Sequence, residues 1–593
     1  MSSNYLQSFG RNIKDMSNVD LKLLDSLNPE QKRACICMEN ILLTACPGSG
    51  KTRTVSYKVA FLVNYFHDSR RLHIVITYTN RAADEIMARL DALDVTADNI
   101  WAGTIHQFCM EYIIRPYSMY SDRLRKGYHI IDEYVQREYK REIKNKLGIN
   151  CTEWEIDKCP KILSVYKQLL QQRKEIDFDD ILEESLKILE QYSYVAENIS
   201  SIIASIQVDE YQDTNESQYA ILAEIYKKNR NIIISFIGDV NQAIYGGLGG
   251  VAKTKDEISS LFGKKFTEMH LTGCYRSIQQ IVDYYSNYAV NRIDISSMRS
   301  DSKKDGIISF EDNVSKDVLA DYITKIVKER LKQGEKEEEI CIIAPRWDLI
   351  FSMANRLRMD LPEVMFNAPD ITPFKYDPMN PFYLLAKLTF MKIRGHERAR
   401  KRYANDVIGM FKNDYGINIK KGFDCFSLLK IISSVIKPAD ADGIKIYQNV
   451  IGRVISSLKI DLSCEEALES SYNQFIKKTA DRVRNNSLST AYIDLEKCFE
   501  EKQGVVISTI HGVKGEEYNT VIAFGLLNGY IPHWNDIYGT NRKETAYKLL
   551  YVLGSRAKEN LYLISETGRT TQKGTLYKAT DEIVNVEWEY TEL

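Results

Sequence analysis

The sequence predicts an α/β protein with two parallel-sheet units, each interrupted by a mainly helical stretch. Three observations predict it. Short apolar runs rich in β-branched residues recur in both halves of the chain and alternate with helix-like runs. Residues 116–200 and 379–499 break this alternation, being helix-like and more polar. The length, 593 residues, exceeds what a single core holds.

In chain order, residues 40–45 (NILLTA) read as a buried strand, followed by a glycine loop and a helix from Lys51. Residues 72–77 (LHIVIT) read as a second strand, with a helical stretch to Leu90. IIASIQVD at 202–209 and NIIISFIG at 231–238 are two more. The pattern resumes with strands at 306–310, 339–344, 505–509, 519–525 and 561–565. Near-continuous apolar runs of this kind suit strands covered on both faces. Six segments follow: 1–115, 116–200, 201–275, 276–378, 379–499 and 500–593. The first 20 residues read as a loose extension.

Composition is that of a soluble globular protein, 44% hydrophobic and 27% charged. The N-terminus lacks an apolar signal core, and no apolar run is long enough for a membrane span, so a cytoplasmic, membrane-free protein is expected. Eleven cysteines occur without a CxxC pair, which argues against a structural zinc site and fits a reducing compartment. A net charge of −2 excludes a passive nucleic-acid coat but leaves room for local basic clusters. Two stand out: Lys392, Arg394, Arg398, Arg400, Lys401 and Arg402, and the stretch from Arg123 to Lys146. Each reads as a nucleic-acid contact or as a solvated helix face.

The strongest local signal is Ala45-Cys46-Pro47-Gly48-Ser49-Gly50-Lys51-Thr52, between a strand and a helix. That is the context of a phosphate loop. Its glycines let the backbone wrap phosphate oxygens at a helix N-terminus. Lys51 is placed for β/γ-phosphates and the Thr52 hydroxyl for Mg²⁺. Asp209 and Glu210 close a buried strand, as a second Mg²⁺ contact and a general base for the attacking water. Gln242, after the next strand, is placed to sense a γ-phosphate. An ATP site with Mg²⁺ follows.

Further ordered motifs carry a resemblance. They are Leu27-Asn-Pro-Glu-Gln31, Thr77-Tyr-Thr-Asn-Arg-Ala-Ala83, Gly103-Thr-Ile-His106-Gln-Phe108 and Asp177-Phe-Asp-Asp-Ile181. Leu271-Thr-Gly-Cys-Tyr275-Arg276-Ser277, Thr509-Ile-His511-Gly-Val-Lys514-Gly515-Glu516-Glu517 and Leu550-Tyr-Val-Leu-Gly-Ser555-Arg556-Ala557 complete the series. With the phosphate loop, they resemble the UvrD/Rep/PcrA family of superfamily 1 DNA helicases, collinearly from residue 27 to residue 565. The resemblance implies two RecA-like motor domains, each with a helical insertion, and ATP-driven 3′-to-5′ movement on single-stranded or tailed duplex DNA.

It also implies roles. Gln31 would bond the adenine edge, Arg53 and Tyr275 would sandwich the base, and Glu517 would hold the ribose. Arg276 and Arg556 would reach the γ-phosphate from the second motor domain, stabilising charge that spreads in phosphoryl transfer. Tyr78, Thr79, Asn80, Thr104, His106, Tyr245, Thr509 and His511 would line the DNA track, with Tyr78, His106, Tyr245 and His511 alternatively packed in the core. The expected setting is DNA repair or anti-phage defence, with a nuclease or repair protein as partner. The alternative is a DNA-stimulated regulatory ATPase that controls a nuclease and unwinds little.

Three departures qualify the match. Tyr245 is followed by Gly246-Gly247-Leu248-Gly249-Gly250, where the family carries an aromatic ring and an arginine. Ser555 stands where threonine is common, and Gly273-Cys274 where asparagine is common. The first departure predicts a looser grip on the strand.

Overall fold

The computed structural model describes residues 21–66, 70–95, 98–131, 133–245, 249–368, 373–375, 377, 380–393, 397–486, 488–499, 504–533, 541–571 and 573–593. The expected N-terminal extension and the Gly246–Leu248 segment lie outside these residues.

Two six-stranded, wholly parallel sheets organise the chain. The first contains β1 (Ile41–Ala45), β2 (Leu72–Thr77), β3 (Ile100–Thr104), β4 (Ile203–Asp209), β5 (Ile233–Gly238) and β6 (Thr267–Leu271). Its order is β3-β2-β4-β5-β1-β6. The second contains β7 (Ile307–Glu311), β8 (Ile340–Ala344), β9 (Phe366–Asn367), β10 (Val505–Thr509), β11 (Tyr518–Ala523) and β12 (Ala557–Ile564). Its order is β7-β12-β11-β8-β10-β9. The expected α/β class is the observed one.

The strands legible in the sequence are mostly interior. Those of the first sheet's centre, β1, β4 and β5, are buried at every position. The sequence reading missed β3, β6 and β9, and all three are edge strands. An edge strand needs no continuous apolar run. β6 (TEMHL) alternates between half-buried and exposed positions before Leu271, and β3 carries Trp101 and Gly103.

Separate hydrophobic clusters cover the two faces of each sheet. Helices Phe178–Gln191 and Ser193–Ser201 share the core of the first sheet. Within 116–200, a separate cluster forms over Ile131–Leu170. Residues Phe374–Leu495 form another all-helical core.

The acidic motif at 177–181 is a structural knot. Asp177 caps its helix by accepting from the Asp180 N–H at 2.9 Å. The Asp180 carboxylate, with no exposed surface, binds both Arg123 and Lys167. Salt bridges also dock the helical unit 374–499 onto the first sheet's unit. Arg115 grips Asp414 through two bonds of 2.9 and 2.7 Å, and Asp84 binds Arg402 and Tyr403.

These contacts correct the reading of the basic clusters. Arg400 is buried, donating to Leu388 O and Met391 O at 2.8 and 2.9 Å to close the helix Pro381–Phe390. Arg402 is spent on Asp84 and Lys401 lies over the Phe426 ring. Arg394 and the Arg398 side chain lie outside the described residues. In the other cluster, Arg123 and Lys140 neutralise Asp180 and Asp157. The described arginines of the first cluster are engaged in packing, whereas Arg125, Lys126, Arg137, Arg141 and Lys146 of the second are exposed. Among the described residues, no helix is long and apolar enough to cross a membrane.

Removing Asp180 takes the buried carboxylate from Arg123, which keeps Glu175 O, while Lys167 keeps Asp177 and Glu183 nearby; the loss costs roughly 1–3 kcal/mol. Asp180→Ala is expected to loosen residues 116–200 locally. Hydrogen–deuterium exchange should rise over helices Pro160–Arg173 and Phe178–Gln191, while the second sheet keeps its protection.

Candidate active site

The loops that carry the predicted site leave the carboxyl ends of the first sheet, where parallel sheets bind ligands. After β1, the Cys46 N–H donates to Leu271 O at 3.0 Å and the Ser49 hydroxyl to Cys46 O at 2.7 Å, closing the turn. Gly48 and Gly50 have φ of 72° and 79°, a region that disfavours side chains. A Cβ on Gly48 would also lie 2.5 Å from Arg276 Cβ. The helix Lys51–Tyr65 starts without a side-chain cap, leaving its first N–H groups to an anion.

Beside this loop, Lys51 Nζ lies 3.1 Å from Glu210 Oε1. Burial would lower the Lys51 pKa, but Glu210, Asp239 and Asp209 together raise it. Burial and the neighbouring Glu210 charge push Asp209 up to about 7. Glu210 goes the other way. Burial opposes its charge, yet Lys51 and Lys514 bring it down to about 2. So Glu210 is ionised at neutral pH. Its backbone sits at φ 53°, a left-handed conformation that a non-glycine residue holds only where its surroundings enforce it. Gln212 supplies part of that enforcement, donating to Glu210 Oε2 and accepting from the Asp239 N–H at 3.0 Å.

Gln31 is buried. It donates to Ser49 O at 2.9 Å and accepts from the Asn28 N–H at 3.1 Å. Asn28 Nδ2 in turn donates to the Tyr275 hydroxyl at 2.8 Å. Arg53 is held by Ser26 and lies over the Tyr57 ring at 5.4 Å. Gln31 and Tyr275 are therefore joined through Asn28, while Arg53 is held separately by Ser26, and the sequence analysis gave neither Asn28 nor Ser26 a role.

The second unit completes the site. Arg556, 1% exposed, donates through Nη2 to Gln242 Oε1 at 3.2 Å and through Nη1 to Glu516 O at 3.1 Å. Gln242 Nε2 donates to Asp239 Oδ2 at 2.7 Å. Burial, with Arg276 nearby, brings Arg556 down to about 9, so it stays charged at neutral pH. Arg276 binds Glu517 at 2.9 Å and Ser555 O at 2.9 Å. Burial raises the Glu517 pKa, but Arg276 and Lys558 outweigh it and hold the carboxyl down at about 2.

One cross-cleft group was quoted in the sequence motifs but given no role. Lys514 donates to Asp213 Oδ2 at 2.5 Å and to Gln242 O at 2.7 Å, and its ammonium lies 5.0 Å from the Tyr245 ring. Its position three residues after His511 within the motif Thr509–Glu517 was the available signal. Arg81 and Glu516 form a second such pair at 2.5 Å.

On the other side of Gln242, the Tyr245 ring stacks on Tyr78 with centroids 4.8 Å apart, and lies 5.5 Å from His511. The Tyr245 hydroxyl donates to His511 O at 3.2 Å. Thr79 and Thr104 accept N–H bonds from Ala82 and Gln107, and Thr509 accepts one from Gly512. The Thr104 hydroxyl also donates to Gln107 Oε1 at 3.5 Å. Asn80 opens the helix Asn80–Ala92. His106 stands apart from the tyrosine stack, edge-on to Phe178 at 5.5 Å. Burial brings it down to about 4, so the ring is neutral at neutral pH.

A phosphate loop, a strand-end Asp-Glu pair and arginines delivered from a second parallel sheet define a nucleoside-triphosphate-hydrolysing motor with two RecA-like units. The UvrD/REP helicase N-terminal domain matches residues 27–160 and 142–262, and the UvrD-like helicase C-terminal domain matches 453–568. The chain belongs to the UvrD/Rep helicase family. It is 23% identical to the ATP-dependent DNA helicase PcrA of Staphylococcus aureus strain MRSA252, over 92% of this chain and 84% of that protein. Against the PcrA of Staphylococcus epidermidis strain ATCC 12228, identity is 24% with the same coverage.

Arg556→Ala should leave ATP binding near normal and slow hydrolysis by about 10³-fold or more. Nucleotide binding by fluorescence titration and single-turnover hydrolysis separate the two. An unchanged hydrolysis rate would end the assignment of Arg556.

Proposed function

We propose that the protein is an ATP-dependent helicase that translocates on single-stranded DNA. The observation that carries this reading is the direct Arg556–Gln242 bond. It joins the second unit's arginine to the first unit's γ-phosphate sensor, three residues from the Tyr245 stack. Lys51, Arg276 and Arg556 would stabilise charge on the transferring phosphoryl group, and Glu210 would take the proton of the attacking water. Gln31, Arg53, Tyr275 and Glu517 would bind the nucleoside.

The buried Asp209 and Asp239 and the half-buried Glu210 surround one lysine, a surplus of negative charge that fits a divalent cation. Thr52 and Asp209 would hold Mg²⁺, which when bound neutralises phosphate charge. Tyr78, Tyr245 and His511 offer a sequence-tolerant stacking track. The PcrA relatives carry the name of ATP-dependent DNA helicases along nearly the whole chain, which favours an autonomous helicase over a regulatory subunit. The resemblance extends the proposal to 3′-to-5′ polarity and to a cytoplasmic role in DNA repair or anti-phage defence.

Single-stranded DNA should stimulate ATP hydrolysis by the purified protein, and Lys51→Ala and Glu210→Gln should abolish turnover without unfolding it. A 3′-tailed duplex should be separated and a 5′-tailed one left intact. Hydrolysis indifferent to DNA, or unwinding of the 5′-tailed duplex alone, would contradict the proposal.

A further inference from the structure

The carboxyl edge of the second sheet presents aromatic rings that the hydrolytic site does not use. β8 and β10 are neighbours, with Ala344 in register with Thr509. Two residues past Thr509 is His511. On the neighbouring strand, the chain passes Ala344 and turns through Pro345 and Arg346 into the helix Trp347–Asp360. Trp347 is 48% exposed, and Phe351, one turn later on the same face, is 40% exposed. Their centroids are 6.4 Å apart and the planes tilt by 32°. The helix already has a buried apolar side in Leu349, Ile350 and Met353, so these two rings are surplus to its packing. Trp101 and Trp588, by contrast, pack against cores.

The surroundings favour a base over a phosphate as ligand. Arg346 is fixed by two bonds to Asp348, at 2.9 and 3.0 Å, and lies over the Tyr530 ring at 4.9 Å. That pair cancels its own charge, leaving an aromatic surface beside it. Every base offers a π-face to such a surface, so stacking there is sequence-tolerant. Ligands of parallel sheets bind outside the strand carboxyl ends, and this edge is continuous with Thr509 and His511.

We propose that Trp347, with Phe351 beside it, is a base-stacking platform that continues the Tyr78–Tyr245–His511 track across the second motor unit. It would supply a ring on the second unit in a chain that lacks one after Tyr245. The proposal rests on the reading of the track as single-stranded DNA.

The test is anisotropy of a fluorescent oligo-dT strand with the full chain, compared with an abasic strand of equal length. Trp347→Ala should weaken oligo-dT binding about 5- to 100-fold, the loss of one stacked base. Trp347→Phe should stay within about threefold of the parent, because a ring remains. On the abasic strand the parent and Trp347→Ala should bind alike. The slope of log affinity against log salt should not change, because a stacked ring releases no counterion. Parental affinity of Trp347→Ala for oligo-dT, or an equal loss on the abasic strand, would overturn the platform while leaving the track standing. A parent protein that does not bind oligo-dT would overturn both.

Discussion

The structure depends on a single cross-cleft constraint. Arg556, almost wholly buried, reaches Gln242 of the other unit, and Lys514 reaches Asp213 and the Gln242 carbonyl. A buried guanidinium and a buried ammonium are tolerated only when their donors are satisfied. For Lys514 these acceptors belong to the opposite unit; Arg556 takes Gln242 Oε1 from the opposite unit and Val552 O, Glu516 O and Ser555 Oγ from its own. Separating the units would break the Lys514 bonds and the Arg556–Gln242 bond, so closing the cleft and completing the site go together. That is how a hydrolytic site becomes a motor: its chemistry is complete when the units meet.

The electrostatics of the first unit follow from the same geometry. Three carboxylates, two of them buried, share Lys51, and Lys514 from the far side helps hold Glu210 ionised. The charge of Glu210, the proposed base, is thus tuned in part by a residue of the second unit. Tyr245 sits beneath that lysine and on Tyr78, which puts the track and the hydrolytic site within one connected set of contacts. The strained Glu210 backbone, held by Gln212, marks the point where conformational cost is accepted for placement.

How much of this was legible in the sequence has a physical pattern. Interior strands such as β1 and β4 announce themselves, because burial on both faces demands unbroken apolar runs. The edge strands β3, β6 and β9 do not, because one side of each is free of that demand. The phosphate loop and the Asp209-Glu210 pair were legible because their chemistry needs fixed residues at fixed spacing. Lys514 and Asp213 are three hundred residues apart, and no local pattern pairs them. Arg400 and Arg402 looked like a cationic surface because charge is visible in a sequence and burial is not. His106 carried a motif but sits against Phe178, away from the tyrosine stack, a packing outcome that spacing does not encode.

The central claim is that Gln242 and Arg556 act as one unit across the cleft. A double-mutant cycle on DNA-stimulated turnover, with Gln242→Ala, Arg556→Ala and both together, tests it most directly. If the claim holds, the double variant is no slower than the slower single variant, because either change already breaks the joint. If the two losses multiply, the residues act independently and the cross-cleft account is wrong.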